Sequence, residues 1–281
     1  MQCFDNCMFR FLRVVAPPVR RLLRVEGYCT IALPDRDCCR TANGAQRRTL
    51  PNVQLAAHPA TCARLVIIYP GLNATLDGES RHFTQAHPFR YRRLAERLQA
   101  EGGAAVLRLA NPPCGYYGDG QVAVDRLARA IDYALAHARA ICGHRRPELC
   151  LLGFSAGAGA VAALAGAYQP KRLLLVAPSG DVGPRRIVAG LRDYTGQLVL
   201  LVGEQDEVVG RDAACLFDEI SPAACPKEVR FVPGCDHFFT RPDHDQLLEE
   251  TSLRVFSGSD KAPAGAPSCL SNQPLQPTGP E

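Results

Sequence analysis

Short apolar runs alternate with longer amphipathic stretches between about Arg64 and Phe256. The runs are four to six residues long and rich in Leu and Val, which is typical of strands buried on both faces of a sheet. They predict strands at Leu65–Tyr69, Ala104–Leu109, Leu149–Leu152, Leu173–Val176, Leu198–Val202 and Val229–Val232.

The stretches between these runs carry apolar or small residues at helical spacing. They predict helices at Phe89–Ala100, Val122–Ala140, Gly157–Ala167, Ile187–Tyr194, Arg211–Ile220 and His244–Phe256. Strands that alternate with helices in this way imply a mostly parallel sheet with right-handed crossovers. The predicted fold class is therefore α/β, with a doubly wound sheet and helices on both faces.

The two ends of the chain depart from this pattern. Before it, Cys29–Leu33 and Val53–His58 predict antiparallel strands at the start of the sheet. After it, residues 257–281 are rich in Pro, Gly and Ser and lack core-forming residues, so we expect a disordered tail. The predicted division is a poorly ordered basic segment at 1–24, one α/β domain at 25–256 and the tail at 257–281.

The formal net charge of +4 arises in the first 24 residues, which contain five Arg and one Asp. The rest of the chain is neutral, which argues against a nucleic-acid partner. A signal peptide is not favoured for this segment, because Arg10 and Arg13 interrupt its apolar part and Pro17 and Pro18 break it. A frayed N-terminus is the simpler interpretation, and a membrane-surface helix is the alternative. No apolar run reaches the roughly 18 residues of a membrane span, so we expect no membrane insertion.

The chain contains 13 cysteines, and an odd number without an export signal does not predict a disulfide framework. Cys150 falls within an apolar run and is expected to pack in the core. The pairs Cys3/Cys7 and Cys38/Cys39 lack the CxxC spacing of a zinc site. We therefore expect a cytoplasmic protein with reduced thiols, the alternative being a disulfide between exposed cysteines.

Gly153-Phe154-Ser155-Ala156-Gly157 follows a predicted strand directly and precedes an Ala- and Gly-rich helix. Such a turn must be tight, and glycines two residues to either side of Ser155 remove side chains that would collide. The turn exposes the serine hydroxyl at the carboxyl edge of the sheet, above a helix N-terminus that favours a developing anion. The pattern predicts Ser155 as a nucleophile. The alternative is a chance match in an Ala- and Gly-rich segment.

A serine nucleophile needs a base, and His237 follows the last predicted strand through a short turn, at the same edge as Ser155. Asp206 lies on the loop after the strand Leu198–Val202 and is the predicted acid that orients the imidazole. His244 and Asp181 are the competing base and acid. The chain order Ser155, Asp206, His237 favours the first assignment.

Two backbone N–H groups are needed to stabilise an oxyanion. The first is predicted to be that of Ala156, directly after the nucleophile. The second is expected from the loop that follows the strand Leu65–Tyr69, where Pro70 has no N–H to donate. Leu72 is the candidate there, and Asn73 is the next.

Together these motifs resemble the α/β-hydrolase superfamily, and most nearly its small, lidless bacterial esterases of the dienelactone-hydrolase type. The matching pieces are Tyr69–Leu72, Gly153–Gly157, Gly203–Val209 and Pro233–Phe239, and they span about Arg64 to Phe256. The resemblance implies an α/β-hydrolase fold with Ser155, Asp206 and His237 as a catalytic triad. One departure is that Tyr69-Pro70 stands where many members have a His before the glycine.

The resemblance also bears on substrate access, because lids of this superfamily are commonly inserted after the strand that follows the nucleophile helix. Only Ala177 to Gln197 lie between that strand and the next. The segment must already supply the crossover helix, so no cap domain is expected.

The expected function is hydrolysis of a small carboxylic ester, or of a thioester or lactone, through an acyl-enzyme, with no cofactor and no metal. Two alternatives stay open at this point. One is a non-catalytic binding protein on the same fold, and the other is an acyltransferase.

Overall fold

A computed structural model describes residues 53–72, 74, 76, 87, 89–111 and 120–257, together with the backbone of two N-terminal strands. The described strands form one sheet in the order β1-β2-β3-β5-β4-β6-β7-β8-β9. Their bounds are β1 Arg24–Val25, β2 Tyr28–Leu33, β3 Val53–His58, β4 Arg64–Tyr69, β5 Ala105–Leu109, β6 Glu148–Phe154, β7 Arg172–Val176, β8 Gln197–Gly203 and β9 Lys227–Val232.

The sheet is antiparallel from β1 through β3 to β5 and parallel from β5 through β4, β6, β7 and β8 to β9. This confirms the predicted antiparallel start and the mostly parallel remainder. β1 begins at Arg24, the last residue of the predicted basic segment. Residues 1–23 and 258–281 lie outside the described residues, so the expectations for both ends stay predictions.

Helices follow the parallel strands within the part of the chain that the structure describes. They are α1 Arg90–Ala100, α2 Gln121–Ala136, α3 Ala138–Cys142, α4 Ala156–Tyr168, α5 Pro184–Arg192, α6 Gly210–Glu219 and α7 Pro242–Phe256. The prediction of a single helix at Val122–Ala140 is wrong, because the chain leaves the helical conformation at His137 (φ −108°, ψ 15°). The last carbonyls of α3 accept hydrogen bonds from the Ala60 and Cys62 N–H groups, and these contacts are invisible in the local pattern.

Both faces of the sheet are buried, as the continuous apolar runs require. Along β4, Leu65 and Ile67 join one hydrophobic cluster while Val66 and Ile68 join another, because successive side chains point to opposite faces. Side chains of α1 and α7 belong to the Val66 cluster. Those of α2 to α6 belong to the Leu65 cluster. The doubly wound arrangement is therefore confirmed, and Cys150 is buried as expected.

The helices and the cysteines of the described residues each show one further feature. None of their helices is both long and apolar enough to cross a membrane. Their six cysteines (Cys62, Cys142, Cys150, Cys215, Cys225 and Cys235) are free thiols.

The crossover from β7 to β8 is described in full and contains one helix, α5. This helix lies directly on α4 through glycines on both helices. A Cβ at Gly190 would lie 2.1 Å from the Ala162 carbonyl oxygen, and one at Gly166 would lie 2.9 Å from the Gly190 carbonyl oxygen. Ile187 and Leu191 of α5 are buried in the core. The segment in which a lid would be expected is thus used to cover the sheet.

We expect Gly190→Ala to lower the free energy of unfolding by about 1–3 kcal/mol, because the new methyl group forces α5 away from α4. Gly180→Ala is the matched control, since a Cβ at Gly180 meets nothing within 4 Å. The control should stay within about 0.5 kcal/mol of the unmodified protein. Urea denaturation measures both, and equal effects would contradict the role of the close helix contact.

Candidate active site

Ser155 occupies a tight turn between the last residue of β6 and the first residue of α4. Its backbone is in a sparsely populated region (φ 52°, ψ −120°), which costs a non-glycine residue of the order of 1–3 kcal/mol. The turn is held by hydrogen bonds from Ser155 N–H to the Val176 carbonyl (2.9 Å) and from Ala158 and Ser179 N–H to the Ser155 carbonyl (2.9 and 3.2 Å). The structure therefore fixes the backbone of this half-buried serine from both sides.

The two glycines of the motif are required by close backbone contacts. A Cβ at Gly153 would lie 2.4 Å from Ala158 Cα, and one at Gly157 would lie 2.2 Å from the Tyr69 carbonyl oxygen. Real Cβ atoms do not approach backbone so closely, so larger residues would push α4 away from the strands. These distances agree with the steric role that the motif predicted for the two glycines.

The structure brings His237 and Asp206 to Ser155. His237 Nε2 lies 3.0 Å from Ser155 Oγ, and His237 Nδ1 lies 2.8 Å from Asp206 Oδ2. Both His237 and Asp206 are buried. Because an ionised carboxylate only accepts hydrogen bonds, Nδ1 carries the proton and Nε2 of the neutral ring is left to accept the serine hydroxyl.

The contact between Asp206 and His237 depends on the close approach of the two loops that carry them. Asp206 follows β8 and His237 follows β9, and these strands are parallel neighbours. A Cβ at Gly203 would lie only 2.3 Å from the Cys235 carbonyl oxygen. That same oxygen accepts a hydrogen bond from Gln205 N–H at 2.9 Å. Gly203, which sequence analysis placed in a motif without giving it a role, is what allows the two loops to meet.

Asp206 is held as an ionised acceptor. Its Oδ1 accepts the N–H groups of Val208 and Val209, each at 2.9 Å, while Oδ2 accepts His237 Nδ1–H. Burial acts to raise the pKa of Asp206, but the hydrogen bonds from His237 and Val209 outweigh it and lower the pKa below its usual value. The carboxylate is therefore charged at neutral pH.

The predicted N–H donors border Ser155 on two sides. Ala156 is the first residue of α4, so its N–H has no partner within the helix. On the other side, a Cβ at Gly71 would lie 3.3 Å from Ser155 Cβ, which places the loop that carries Leu72 against the serine. Asn111 supports this loop by donating from Nδ2 to the Pro70 carbonyl (3.3 Å), a contact that sequence analysis missed. Asn73 lies outside the described residues.

The competing base and acid lie elsewhere. Asp181 is exposed, and its Oδ2 accepts a hydrogen bond from Ser179 Oγ at 2.9 Å. His244 is buried in the first turn of α7, with Nε2 at 3.9 Å from Asp243 Oδ2. The described side chains contain no group of three or more His, Cys, Asp or Glu that could hold a metal ion.

Arg90, a residue that sequence analysis did not single out, reaches the loop that carries His237. Its Nη2 donates to the carbonyls of Phe238 (2.8 Å) and Phe239 (3.0 Å), and its Nε donates to Asp245. Helical spacing places Arg90 on the same buried face of α1 as Leu94 and Leu98. A charged residue at such a position is the sequence feature that could have identified it.

The lowered pKa of Asp206 gives a pH test. Ionised Asp206 stabilises the fold above its unfolded pKa of about 3.9, and this contribution is lost as the pH falls through the lower folded-state pKa. Asp206→Asn cannot titrate at this position. We expect the difference in unfolding free energy between the unmodified protein and Asp206→Asn to be constant above about pH 5 and to shrink below about pH 4. Urea denaturation across this range measures it, and a difference independent of pH would contradict the assignment.

The sequence matches no protein-family profile and no curated protein sequence. Solved structures with the same architecture exist. An α/β serine hydrolase homologue from Coxiella burnetii is similar with a TM-score of 0.55 and 20% identity, over 72% of this chain and 91% of that one.

Two further structures extend the comparison. A cold-adapted esterase from an Arctic intertidal metagenomic library has a TM-score of 0.59 and 14% identity over 85% of this chain and 100% of its own. The esterase domain of a Rhodothermus marinus protein has a TM-score of 0.55 and 14% identity over 82% and 99%. At these identities the comparison concerns the fold alone. The chain has the α/β-hydrolase fold, as its four motifs predicted.

Proposed function

We propose that this protein is a serine hydrolase that cleaves a carboxylic ester, thioester or lactone of a small substrate through an acyl-enzyme. The observation that carries the proposal is the hydrogen-bonded series Asp206–His237–Ser155, with contacts of 2.8 and 3.0 Å. Such a series supplies what a serine hydroxyl lacks, namely an adjacent base held in one tautomer by a third group. The esterases among the similar structures lend support to ester substrates.

In the first half of the proposed reaction, Ser155 Oγ attacks the substrate carbonyl carbon while its proton passes to His237 Nε2. Asp206 stabilises the imidazolium that forms and keeps Nδ1 as a donor. The carbonyl oxygen becomes an oxyanion, for which the N–H groups of Ala156 and Leu72 are the proposed donors. The tetrahedral intermediate then expels the alkoxide, which takes the proton from His237 Nε2.

In the second half, a water molecule gives a proton to His237 and attacks the acyl carbon. The tetrahedral intermediate collapses to release the acid, and Ser155 Oγ recovers the proton from His237. His237 therefore acts as base and then as acid in each half, which requires that Nε2 stay between Ser155 Oγ and the oxygen of the leaving group or of the attacking water. Its burial and its contact with Asp206 favour this fixed orientation.

Two alternatives remain distinguishable from hydrolysis. A binding protein on this fold would not react with a fluorophosphonate, whereas an activated Ser155 forms a covalent adduct. An acyltransferase would also react, but added alcohols or amines would divert the acyl group from water. The complete hydrogen-bonded series favours an enzyme over a binding protein, and the esterases among the similar structures favour hydrolysis over acyl transfer.

We expect Ser155→Ala and His237→Ala each to lower kcat for ester hydrolysis by about 10⁴-fold or more, because triad residues act as a unit. Asp206→Asn should lower kcat by about 10⁴-fold through the wrong tautomer of His237. Steady-state kinetics on a nitrophenyl ester measure these effects, with circular dichroism to check folding.

Asp181→Asn is the matched control for Asp206→Asn, since Asp181 is the competing acid and contacts Ser179 instead of His237. Its kcat should stay close to that of the unmodified protein. A folded Ser155→Ala variant with normal turnover would refute the proposed mechanism. Reversed effects at Asp181 and Asp206 would show that the acid lies after β7.

The position of α5 supports the proposal of a substrate with a short acyl chain, because α5 packs on α4 and leaves no helix of the β7–β8 crossover for a cap. Each methylene contributes about 0.8 kcal/mol of binding only while it is buried against apolar surface. We therefore expect kcat/KM on simple esters to peak at short acyl chains, with no interfacial activation. A series of nitrophenyl esters of increasing chain length tests this, and an optimum at long chains would contradict an open pocket.

A further inference from the structure

Arg90 is a buried cation next to the proposed active site. It is the first residue of α1, and only 1% of its surface is exposed. Lysine and arginine are rarely buried to this degree unless they are paired and hydrogen-bonded. The partners of Arg90 therefore indicate what the residue does.

Those partners lie on the loop that carries His237. Nη2 donates to two successive backbone carbonyls, at 2.8 Å to Phe238 and 3.0 Å to Phe239. The guanidinium carbon also lies 5.8 Å from the ring centroid of Phe154, the residue before Ser155. Arg90 thus contacts the chain on both sides of the contact between His237 and Ser155.

The loop after His237 needs support because its backbone is strained. Phe239 has a φ of 53°, a left-handed conformation that a residue with a bulky side chain rarely adopts. Arg90 holds the carbonyls of Phe238 and of Phe239 itself. His87 Nε2 donates to the next carbonyl, that of Thr240, at 2.6 Å. Three successive carbonyls are therefore held by two side chains from outside the loop.

Asp245 of α7 connects these two side chains. Its Oδ1 accepts Arg90 Nε, and its Oδ2 lies 3.1 Å from His87 Nδ1 and 2.6 Å from Arg93 Nη2. The hydrogen bond from Arg90 Nε to Asp245 Oδ1 and the two carbonyl contacts of Nη2 together fix the plane of the guanidinium. Asp245 accordingly neutralises Arg90 and fixes the direction of the N–H groups that meet the loop.

We propose that Arg90 is a positioning residue, which holds His237 Nε2 toward Ser155 Oγ by binding the carbonyls of Phe238 and Phe239. The proposal rests on the proposed function, in which His237 is the base. Displacement of a reacting group by about 1 Å can cost roughly 10²-fold in rate. Arg90 therefore acts on turnover through backbone carbonyls, without contacting the reacting atoms.

The first test is Arg90→Gln in the full-length protein. We expect kcat to fall about 10²-fold with KM nearly unchanged, since substrate contacts are intact and only the alignment of the base is lost. Arg90→Lys keeps the charge but loses the planar donor pair, and its kcat should recover only in part. Arg97→Gln is the matched control, because Arg97 also joins α1 to α7, through Glu249, and its other side-chain contact is with Glu101. Its kcat should be unchanged.

A second variant separates positioning from charge burial. Arg90→Gln leaves Asp245 short of a partner, so a loss of stability alone could explain a loss of activity. Arg90→Gln combined with Asp245→Asn removes both charges. Because Asp245 also binds His87 and Arg93, the double variant should recover thermal stability only in part. If Arg90 positions the loop, the kcat of the double variant stays as low as that of Arg90→Gln. If kcat recovers together with stability, the proposal is overturned.

A measurement that does not depend on turnover distinguishes failure of the positioning role of Arg90 from failure of the proposed function. The proton on His237 Nδ1, hydrogen-bonded to Asp206, gives an NMR signal far downfield of the amide region. We expect this signal in the unmodified protein and in Arg97→Gln, and its loss or broadening in Arg90→Gln. An unchanged signal in Arg90→Gln would overturn the positioning role. Failure of Ser155 to react with a fluorophosphonate in the unmodified protein would instead refute the proposed function.

Discussion

The active-site region depends on how closely the first turn of α4 approaches the end of β4. A side chain at Gly157 would lie 2.2 Å from the Tyr69 carbonyl oxygen and 2.4 Å from that of Pro70, so the two backbones are in direct contact. This contact places the Ser155 turn against the loop that carries Leu72. The position of the serine turn relative to the predicted N–H donors is therefore set by one steric constraint.

Asp206 and His237 are likewise positioned by a close contact between two backbone segments. Asp206 and His237 come from loops after neighbouring parallel strands, and Gly203 lets the β8 loop pass directly beneath the Cys235 carbonyl. Parallel pairing brings the carboxyl ends of β6, β8 and β9 to one edge of the sheet. The chain order serine, aspartate, histidine thus reflects strand order, with β7 lying between the strands that supply the nucleophile and the acid.

Much of this arrangement could be predicted because its signals are local. A buried strand is a short apolar run, and the turn at Ser155 requires glycines at fixed offsets, so the bounds of the parallel strands agree with the structure to within two residues. The break of the α2–α3 region at His137 could not be predicted, since the apolar spacing continues through it. The end of α3 is joined to Ala60 and Cys62, which are distant in sequence. The contacts of Gly203 and Asn111 are likewise with residues distant in sequence.

The sequence shows that Arg90 is a charged residue on a buried helix face, but it does not show what role the charge has. Arg90 lies on the buried face of α1 with Leu94 and Leu98, and Arg126 lies on the buried face of α2 with Leu127 and Ile131 in the same way. The sequence marks both as charges at core positions. Only the fold separates them, because Arg90 meets carbonyls of the His237 loop while Arg126 lies on the helix layer of the opposite face. A buried charge in a sequence therefore indicates that a polar partner must exist, and the partner's position in the fold decides whether the charge concerns stability or the geometry of a site.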